Sequence, residues 1–192
     1  MSNRTIGYAI TGSFCTLEKA LTEMERLKTL GHDIVPIVSF AVAGTDTRFG
    51  TAAYFREKIL SITGKAPIET IADAEPVGPK NLLDALLIAP CTGNTLAKIA
   101  NAVTDTPVTM ACKAQLRNRK PVVIAISTND GLSANAKNIG MLLNVRNMYF
   151  VPFGQDNPLQ KCNSLMADFT LIPDALMSAL SGEQLQPILL RS

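Results

Sequence analysis

Two kinds of hydrophobic pattern alternate along this chain. Short apolar runs are typical of buried strands, whereas apolar residues every three or four positions are typical of amphipathic helices. The apolar runs predict strands over residues 5–10, 33–38, 68–71, 84–89 and 121–126, and an extended segment over 148–153. Helical spacing predicts helices over residues 17–30, 50–63, 94–103, 134–145 and 173–181, and another that begins at Pro107.

The order of these elements predicts the fold. Strand, turn, helix and strand follow one another from Thr5, with Gly31 expected to end the first helix and Pro90 to end the fourth strand. The run over residues 121–126 is apolar on both faces, as a strand of a parallel sheet requires. The sequence therefore predicts one domain over residues 1–192. We expect a three-layer α/β/α fold with a mostly parallel, Rossmann-like flavoprotein sheet.

Composition excludes several classes of function. With 192 residues, 47% of them hydrophobic, the chain can bury a sizeable core. A net charge of +2 with dispersed Lys and Arg argues against a nucleic-acid partner. No apolar run approaches the roughly 20 residues that span a bilayer, and the first residues lack the apolar centre of a signal peptide. Four cysteines without a C-x-x-C pair, and one histidine, argue against a metal site and favour a cytoplasmic location.

Four polar loops follow predicted strands, where open α/β sheets bind their ligands. The loop over residues 11–16 places Ser13 before a helix, where its hydroxyl could bind an anion or cap the helix. The loop over residues 39–50 places Ser39 beside Phe40, an aromatic ring that could stack on a flat ligand. The alternative for this second loop is a flexible surface segment.

The loop over residues 89–101 is the most informative. It crowds hydroxyl and amide groups at Thr92, Asn94 and Thr95, where a strand meets a helix N-terminus. A single N-cap does not explain this cluster, which predicts a phosphate site. The loop over residues 127–131 follows the clearest strand, and its alternative is a plain turn. Neither GxGxxG nor GK[ST] occurs, so a dinucleotide fingerprint and a P-loop are both absent from the sequence.

Together these loops resemble the flavoprotein family that includes phosphopantothenoylcysteine decarboxylases, lantibiotic cysteine decarboxylases and flavin prenyltransferases. In that family a TGS-type loop, a hydroxyl residue after the second strand and a PxSxNT-like loop hold FMN. The resemblance therefore implies an FMN site made by Gly12, Ser13, Phe14, Ser39, Phe40, Pro90, Cys91, Thr92, Asn94, Thr95 and Ser127.

Segments over residues 7–16, 129–139 and 151–158 resemble one branch of that family, the dipicolinate synthase B subunits of spore-forming bacteria. This resemblance implies an oxidoreductase component of the mother-cell cytoplasm. It would work with an NAD(P)-dependent A subunit of dipicolinate synthase and form dipicolinate from a dihydrodipicolinate-type precursor. It also implies a homo-oligomer, a trimer or a dodecamer.

A dicarboxylate substrate requires cations in the loops that surround it. The candidates for substrate contact are Arg48, Asn129, Lys137 and Lys161. The alternative for each cation is a solvated side chain. No catalytic residue is assigned.

Three departures from the cysteine decarboxylases matter for chemistry. Those enzymes carry a histidine shortly after the first loop, whereas the sole histidine of this chain, His32, is expected in a solvated turn. Only Asn129 remains of their PxMNxxM segment, and Cys162 lacks the Cys-Gly context of their flap cysteine. We therefore reject thiol-oxidising decarboxylation. The alternatives that remain are another FMN-binding decarboxylase, a prenyltransferase-like flavoprotein and a non-redox partner of the synthase.

The other cysteines have two interpretations. Cys15 and Cys91 lie near predicted helix N-termini, which would lower a thiol pKa, or they are small residues packed in tight loops. The packing interpretation is favoured for both, and Cys112 is predicted in the core.

Overall fold

The carboxyl ends of four parallel strands form one edge of the central sheet. The computed structural model describes residues 3–190. The strands are β1 (Thr5–Ile10), β2 (Asp33–Val38), β3 (Ala85–Cys91), β4 (Val122–Thr128), β5 (Met148–Phe150), β6 (Phe153–Gly154) and β7 (Leu165–Ala167). The helices are α1 (Leu17–Thr29), α2 (Phe40–Gly44), α3 (Ala52–Thr63), α4 (Ile71–Ala74), α5 (Gly93–Ala100), α6 (Pro107–Arg117), α7 (Ala136–Leu143) and α8 (Ile172–Leu180). Short 3-10 turns cover Phe14–Thr16, Glu75–Val77 and Phe169–Leu171.

The sheet has the order β2-β1-β3-β4-β7-β6. Strands β2, β1, β3 and β4 are parallel, and β5 pairs in parallel with the first half of β4. Helices α1, α3 and α8 form one covering layer, and α5, α6 and α7 form the other. The predicted three-layer, mostly parallel α/β fold is therefore confirmed. Within residues 3–190 no helix is long and apolar enough to cross a membrane.

Burial follows the sheet. Every residue of β3 is buried, and so is every residue of β4 except its last, Thr128. Apolar side chains therefore fill both faces of the two central strands, as the continuous apolar runs predict. Their polar side chains are confined to the carboxyl ends, which lie beside the site described below.

A glycine turn ends α1. Gly31 has a φ of +91°, and its N–H donates to the carbonyl of Lys28 while that of His32 donates to the carbonyl of Leu27. These two bonds form a Schellman motif, which needs a residue that tolerates left-handed backbone. The predicted end of this helix is therefore present, and β2 begins two residues later.

Pro90 does not end its strand, contrary to expectation. Strand β3 runs on through Cys91, and its register against β4 shifts between Ile88 and Cys91. Proline has no N–H for the ladder, and such a shift is where a strand accommodates one. The Pro90 carbonyl instead accepts hydrogen bonds from the loop after β1.

Two predicted connections also differ. The segment over residues 39–50 is not simply a flexible loop, because Ser39 caps α2 by accepting a hydrogen bond from the Val42 N–H. The strand predicted over residues 68–71 is a single bridge between Ile68 and Ile37, and the chain is helical from Ile71. Side chains that form local hydrogen bonds determine the structure of both segments, because neither segment carries a long apolar pattern.

The C-terminal quarter contains an antiparallel addition that the hydrophobic pattern does not predict. Strand β7 pairs with the last residues of β4 and with β6. The tail then runs along β6, where Leu190 donates its N–H to the carbonyl of Phe153. These strands are only two or three residues long, too short to show a period.

His32 is buried, so the expected solvated turn residue is wrong. Only 6% of its surface is exposed, and its Nδ1 has no hydrogen-bond partner among residues 3–190. Burial lowers the pKa of the imidazole, with a further lowering from the nearby Arg4. The residue precedes β2, at the edge of the sheet opposite the strand ends that carry the candidate site.

The lowered pKa of His32 predicts that acid destabilises the fold. The unfolded imidazole binds a proton as the pH falls through about 6.5, whereas the folded one resists until lower pH, so the free energy of unfolding falls below pH 6.5 by up to about 1.4 kcal/mol per pH unit. We expect urea denaturation to show a smaller loss between pH 7.5 and 5.5 in His32→Gln than in the wild type. Equal losses in the two proteins would contradict this assignment.

Candidate functional site

Three hydroxyl groups meet where β1 and β4 end. The Ser13 Oγ lies 2.8 Å from the Ser127 Oγ, and the Thr16 Oγ1 lies 3.0 Å from the former and 3.2 Å from the latter. Thr16 also donates to the Ser13 carbonyl at 2.9 Å, and because a carbonyl only accepts, that bond uses its proton. The hydrogen bond between the Ser13 and Ser127 hydroxyls uses one of their two protons, and the other is left for a ligand. Both protons can turn to an anion if that mutual bond is given up.

The capping alternative for this loop is wrong. Ser13 precedes the 3-10 turn and Thr16 precedes α1, yet neither side chain makes a capping hydrogen bond. Both hydroxyls contact the Ser127 hydroxyl near the end of β4 instead. Thr16 is not among the predicted ligand residues, although three hydroxyl residues within residues 11–16 were a signal for a larger cluster.

Thr11 joins the loops after β1 and β3. The sequence pattern did not predict this role. Its hydroxyl donates to the Pro90 carbonyl at 2.7 Å and accepts from the Thr92 N–H at 2.9 Å. Only 1% of Thr11 is exposed, so these bonds satisfy a polar group that burial would otherwise destabilise. The contact fixes the start of α5 relative to the first loop.

The N-terminus of α5 offers donors at the same edge. Thr92 is the N-cap, and its hydroxyl accepts from the Thr95 N–H at 3.3 Å and donates to the Thr95 Oγ1 at 3.2 Å. The N–H groups of Gly93 and Asn94 have no hydrogen-bond partner among residues 3–190. A helix start of this kind suits an anion, because its unpaired N–H groups and the helix dipole both favour negative charge.

These loops open onto a cavity of about 410 Å³. That volume lies within the usual range for small-molecule sites. The cavity brings together eight of the residues predicted to contact ligands: Gly12, Ser13, Phe14, Arg48, Thr92, Asn129, Ser127 and Lys161. Cys15, Thr16, Phe49 and Thr128 complete the part of its wall nearest the strand ends.

Seven predicted ligand residues do not line the cavity: Ser39, Phe40, Pro90, Cys91, Asn94, Thr95 and Lys137. Pro90 and Cys91 are buried within β3. The Ser39 hydroxyl caps α2 and the Thr95 hydroxyl accepts from the Thr92 hydroxyl, while the side chains of Phe40, Asn94 and Lys137 are exposed elsewhere. Their motifs mark the right loops, but the pattern alone cannot tell a backbone contact from a side-chain contact.

Two cations lie at the cavity. The Arg48 guanidinium lies 4.8 Å from the centre of the Phe49 ring, a cation–π contact that leaves its N–H donors available. The Lys161 ammonium lies 3.2 Å from the Asp156 carboxylate. Partial burial would raise the pKa of Asp156, but hydrogen bonds from Ser164 and Lys161 outweigh it and lower that pKa. Asp156 is therefore ionised at neutral pH.

The buried thiols are not reactive thiolates. Burial raises the pKa of Cys91 well above its usual value, with a smaller contribution from Cys112, and burial raises the pKa of Cys112 to about 12. A lowered pKa is therefore wrong for Cys91, and Cys112 lies in the core as predicted. Cys15 and Cys162 are exposed, and Cys15 lines the cavity.

A second cavity, of about 530 Å³, adjoins the first and shares Asp156 and Met166 with it. Its charged lining residues are Lys19, Glu23, Asp156 and Asp168. Three carboxylates against one ammonium make this second cavity unsuitable for a dicarboxylate. Among the described residues, no group of three or more His, Cys, Asp or Glu side chains could hold a metal ion.

A polar network packs against the first residue of α5. The Asp130 carboxylate accepts from the Thr128 hydroxyl and from the Asn135 Nδ2 at 2.8 Å. A Cβ atom on Gly93 would lie 2.6 Å from both the Asp130 Oδ1 and the Thr128 Oγ1, and nearer still to Asn135. Only glycine fits there, because those polar atoms occupy the space that a side chain would need.

The chain as a whole matches known proteins. The sequence model of the family described as "Flavoprotein" matches residues 1–180. The chain belongs to the flavoprotein family. The dipicolinate synthase B subunit of Bacillus subtilis (strain 168) is 46% identical to this flavoprotein over 192 residues, covering all of this chain and 96% of the relative.

Two solved structures show the same fold. The crystal structure of the dipicolinate synthase B subunit from Bacillus halodurans is 47% identical, with a TM-score of 0.91 over 100% of this chain and 98% of that one. The FMN-dependent cysteine decarboxylase SpaF is 22% identical, with a TM-score of 0.64 over 93% of this flavoprotein and 97% of that chain. The latter likeness shows the fold alone.

Crowding at Gly93 predicts opposite effects of two Gly→Ala substitutions. Gly93→Ala forces a methyl group into the Asp130 network, so we expect it to lower the free energy of unfolding by about 1–3 kcal/mol. Gly140→Ala is the matched control, because Gly140 is also helical but has no atom within 4 Å of an added Cβ. Alanine there should stabilise the protein by about 0.5–1 kcal/mol. Thermal denaturation of both variants checks the prediction, and a neutral Gly93→Ala would contradict it.

Proposed function

We propose that this flavoprotein is the B subunit of a dipicolinate synthase and binds FMN. The single observation that carries the proposal is full-length identity of 46% to a protein of that name. The protein would act with an NAD(P)-dependent A subunit in the cytoplasm of the mother cell during sporulation, and would assemble as a homo-oligomer, a trimer or a dodecamer. Its reaction would convert a dihydrodipicolinate-type precursor to dipicolinate, a pyridine-2,6-dicarboxylate.

The residues at the strand ends fit a flavin phosphate. The Ser13 and Ser127 hydroxyls can turn to an anion by giving up their mutual hydrogen bond, and the α5 backbone offers the unpaired N–H groups of Gly93 and Asn94. A phosphate accepts hydrogen bonds without donating any when fully ionised, so this donor set suits it. Bound there, the flavin would supply a hydride acceptor, which the protein has only to position.

The two cations at the same cavity suit the dicarboxylate. Arg48 can bind a carboxylate with two parallel N–H donors. Lys161 is paired with Asp156, but its side chain is 55% exposed, and exposed ion pairs contribute only about 0–1 kcal/mol. Lys161 can therefore exchange Asp156 for a substrate carboxylate, with Asn129 beside it on the cavity wall. The adjoining cavity, rich in carboxylates, would repel the same substrate.

The residues of this site do not support the alternative activity of a thiol-oxidising cysteine decarboxylase. The sole histidine precedes β2, and a six-residue strand places it roughly 20 Å from the strand ends. Cys91 and Cys112 are buried with raised pKa values. A non-redox partner of the synthase that uses the cavity for substrate alone is the outcome if flavin does not bind.

The flavin site predicts the effects of two serine substitutions. Ser127→Ala removes a donor to the phosphate, so we expect the Kd for FMN to rise by about 5- to 20-fold. The Kd for riboflavin, which has no phosphate, should stay within about twofold. Ser181→Ala, in an exposed serine at the end of α8, is the matched control. Quenching of flavin fluorescence measures the Kd for FMN and the Kd for riboflavin in the wild type and in each variant. Wild-type protein that bound no FMN would contradict the flavin proposal.

The substrate site predicts a contrast among three cations. With the A subunit present, Arg48→Met and Lys161→Met should each raise the KM for the dihydropyridine by about tenfold, because each removes one charged hydrogen bond. Lys137→Met should leave KM unchanged, since Lys137 does not line the cavity. Initial rates of dipicolinate formation check this. Equal effects of all three substitutions would show that only the overall charge matters.

A further inference from the structure

The direction of the Thr128 hydroxyl follows from its partner. Thr128 lies at the end of β4 and lines the cavity, and its hydrogen bond runs to Asp130. An ionised carboxylate only accepts, so the Thr128 hydroxyl must donate its proton to it. The Thr128 oxygen then has only its lone pairs to offer to another partner. Thr128 is therefore an acceptor toward any further partner, whereas the Ser13–Ser127 pair has a proton left to donate.

The hydrogen bonds on the other side of Asp130 fix the direction of each amide that contacts it. The Asn135 amide must point its Nδ2 to the carboxylate, which leaves its Oδ1 to accept from the Asn138 Nδ2 at 2.8 Å. Each amide is thereby fixed, because turning either one would bring two acceptors or two donors together. The chain of hydrogen bonds ends at the Asn138 Oδ1, which is buried and has no partner among residues 3–190.

An amide at position 130 would not impose this direction. Its Nδ2 could donate to the Thr128 oxygen, and the Thr128 hydroxyl would then turn its proton elsewhere. The carboxylate has no proton to donate and so forbids the reversed hydroxyl. Asp130 thus fixes the polarity of Thr128.

We propose that Asp130 is a positioning residue that makes Thr128 a hydrogen-bond acceptor in the ligand cavity, so that this wall selects a neutral O–H or N–H group of the ligand. The proposal rests on the proposed flavin site. Under this proposal the cavity offers donors for an anion at Ser13 and Ser127. It offers one acceptor, at Thr128, for a ligand hydroxyl or ring N–H. Riboflavin carries both kinds of donor and no charge, which makes it the suitable probe.

The test measures riboflavin affinity in Thr128→Val, Thr128→Ser, Asp130→Ala and the double variant Thr128→Val/Asp130→Ala. Valine keeps the shape but removes the acceptor, so we expect the Kd to rise about five- to tenfold, and serine should restore wild-type affinity. Asp130→Ala releases the hydroxyl and should raise the Kd about threefold. The double variant should match Thr128→Val, because the two residues act through one hydrogen bond. Thermal denaturation verifies that each variant is folded. If Asp130→Ala does not fold, the riboflavin Kd of Thr128→Val alone decides whether Thr128 accepts a hydrogen bond from the ligand.

Two results would overturn the inference. Wild-type riboflavin affinity in Thr128→Val would show that Thr128 accepts nothing from the ligand. Effects of the two substitutions that multiply in the double variant would show that Asp130 does not act through Thr128. In either case FMN binding by the wild type still stands, so the proposed function survives. A wild-type protein that bound neither FMN nor riboflavin would instead contradict the proposed function, and this inference with it.

Discussion

The hydroxyl of Thr11 is the contact on which the site depends. Strands β1 and β3 are neighbours, so the loops that follow them must share the same edge of the sheet. Thr11 joins these loops by donating to the Pro90 carbonyl and accepting from the Thr92 N–H. Pro90 lies where the register of β3 against β4 shifts, and its carbonyl finds its partners in the loop after β1. The first loop and the start of α5 are thereby held together, and the other groups of the site take their places around them.

The resulting site separates two kinds of charge recognition. Neutral hydroxyls and backbone N–H groups gather at the strand ends, where an anion can be bound without a buried countercharge. The cations, Arg48 and Lys161, lie on longer loops at the same cavity. Glycine at position 93 lets Asp130 pack against α5, and that carboxylate sets the polarity of Thr128. Under the proposed function, this one cavity would distinguish a phosphate, a dicarboxylate and a neutral polar group.

Long apolar runs predicted the sheet well, and polar turns predicted the loops of the site. The runs over residues 5–10 and 121–126 had no alternative to burial in a parallel sheet. Strands β6 and β7 escaped prediction, because two or three residues carry no period and their pairing depends on distant residues. His32 escaped for a similar reason: a Schellman turn beside it leads directly into β2, so its burial is a tertiary effect. Ser39 and Thr95 were placed in the right loops, but local hydrogen bonds engage their hydroxyls.

A crystal structure of the protein saturated with FMN would test whether hydroxyl groups at the strand ends hold the flavin phosphate. We expect phosphate oxygens within about 3 Å of the Ser13 and Ser127 hydroxyls and of the N–H groups that begin α5. A flavin whose phosphate lay in the adjoining cavity beside Glu23 and Asp168, or at the molecular surface, would contradict this expectation.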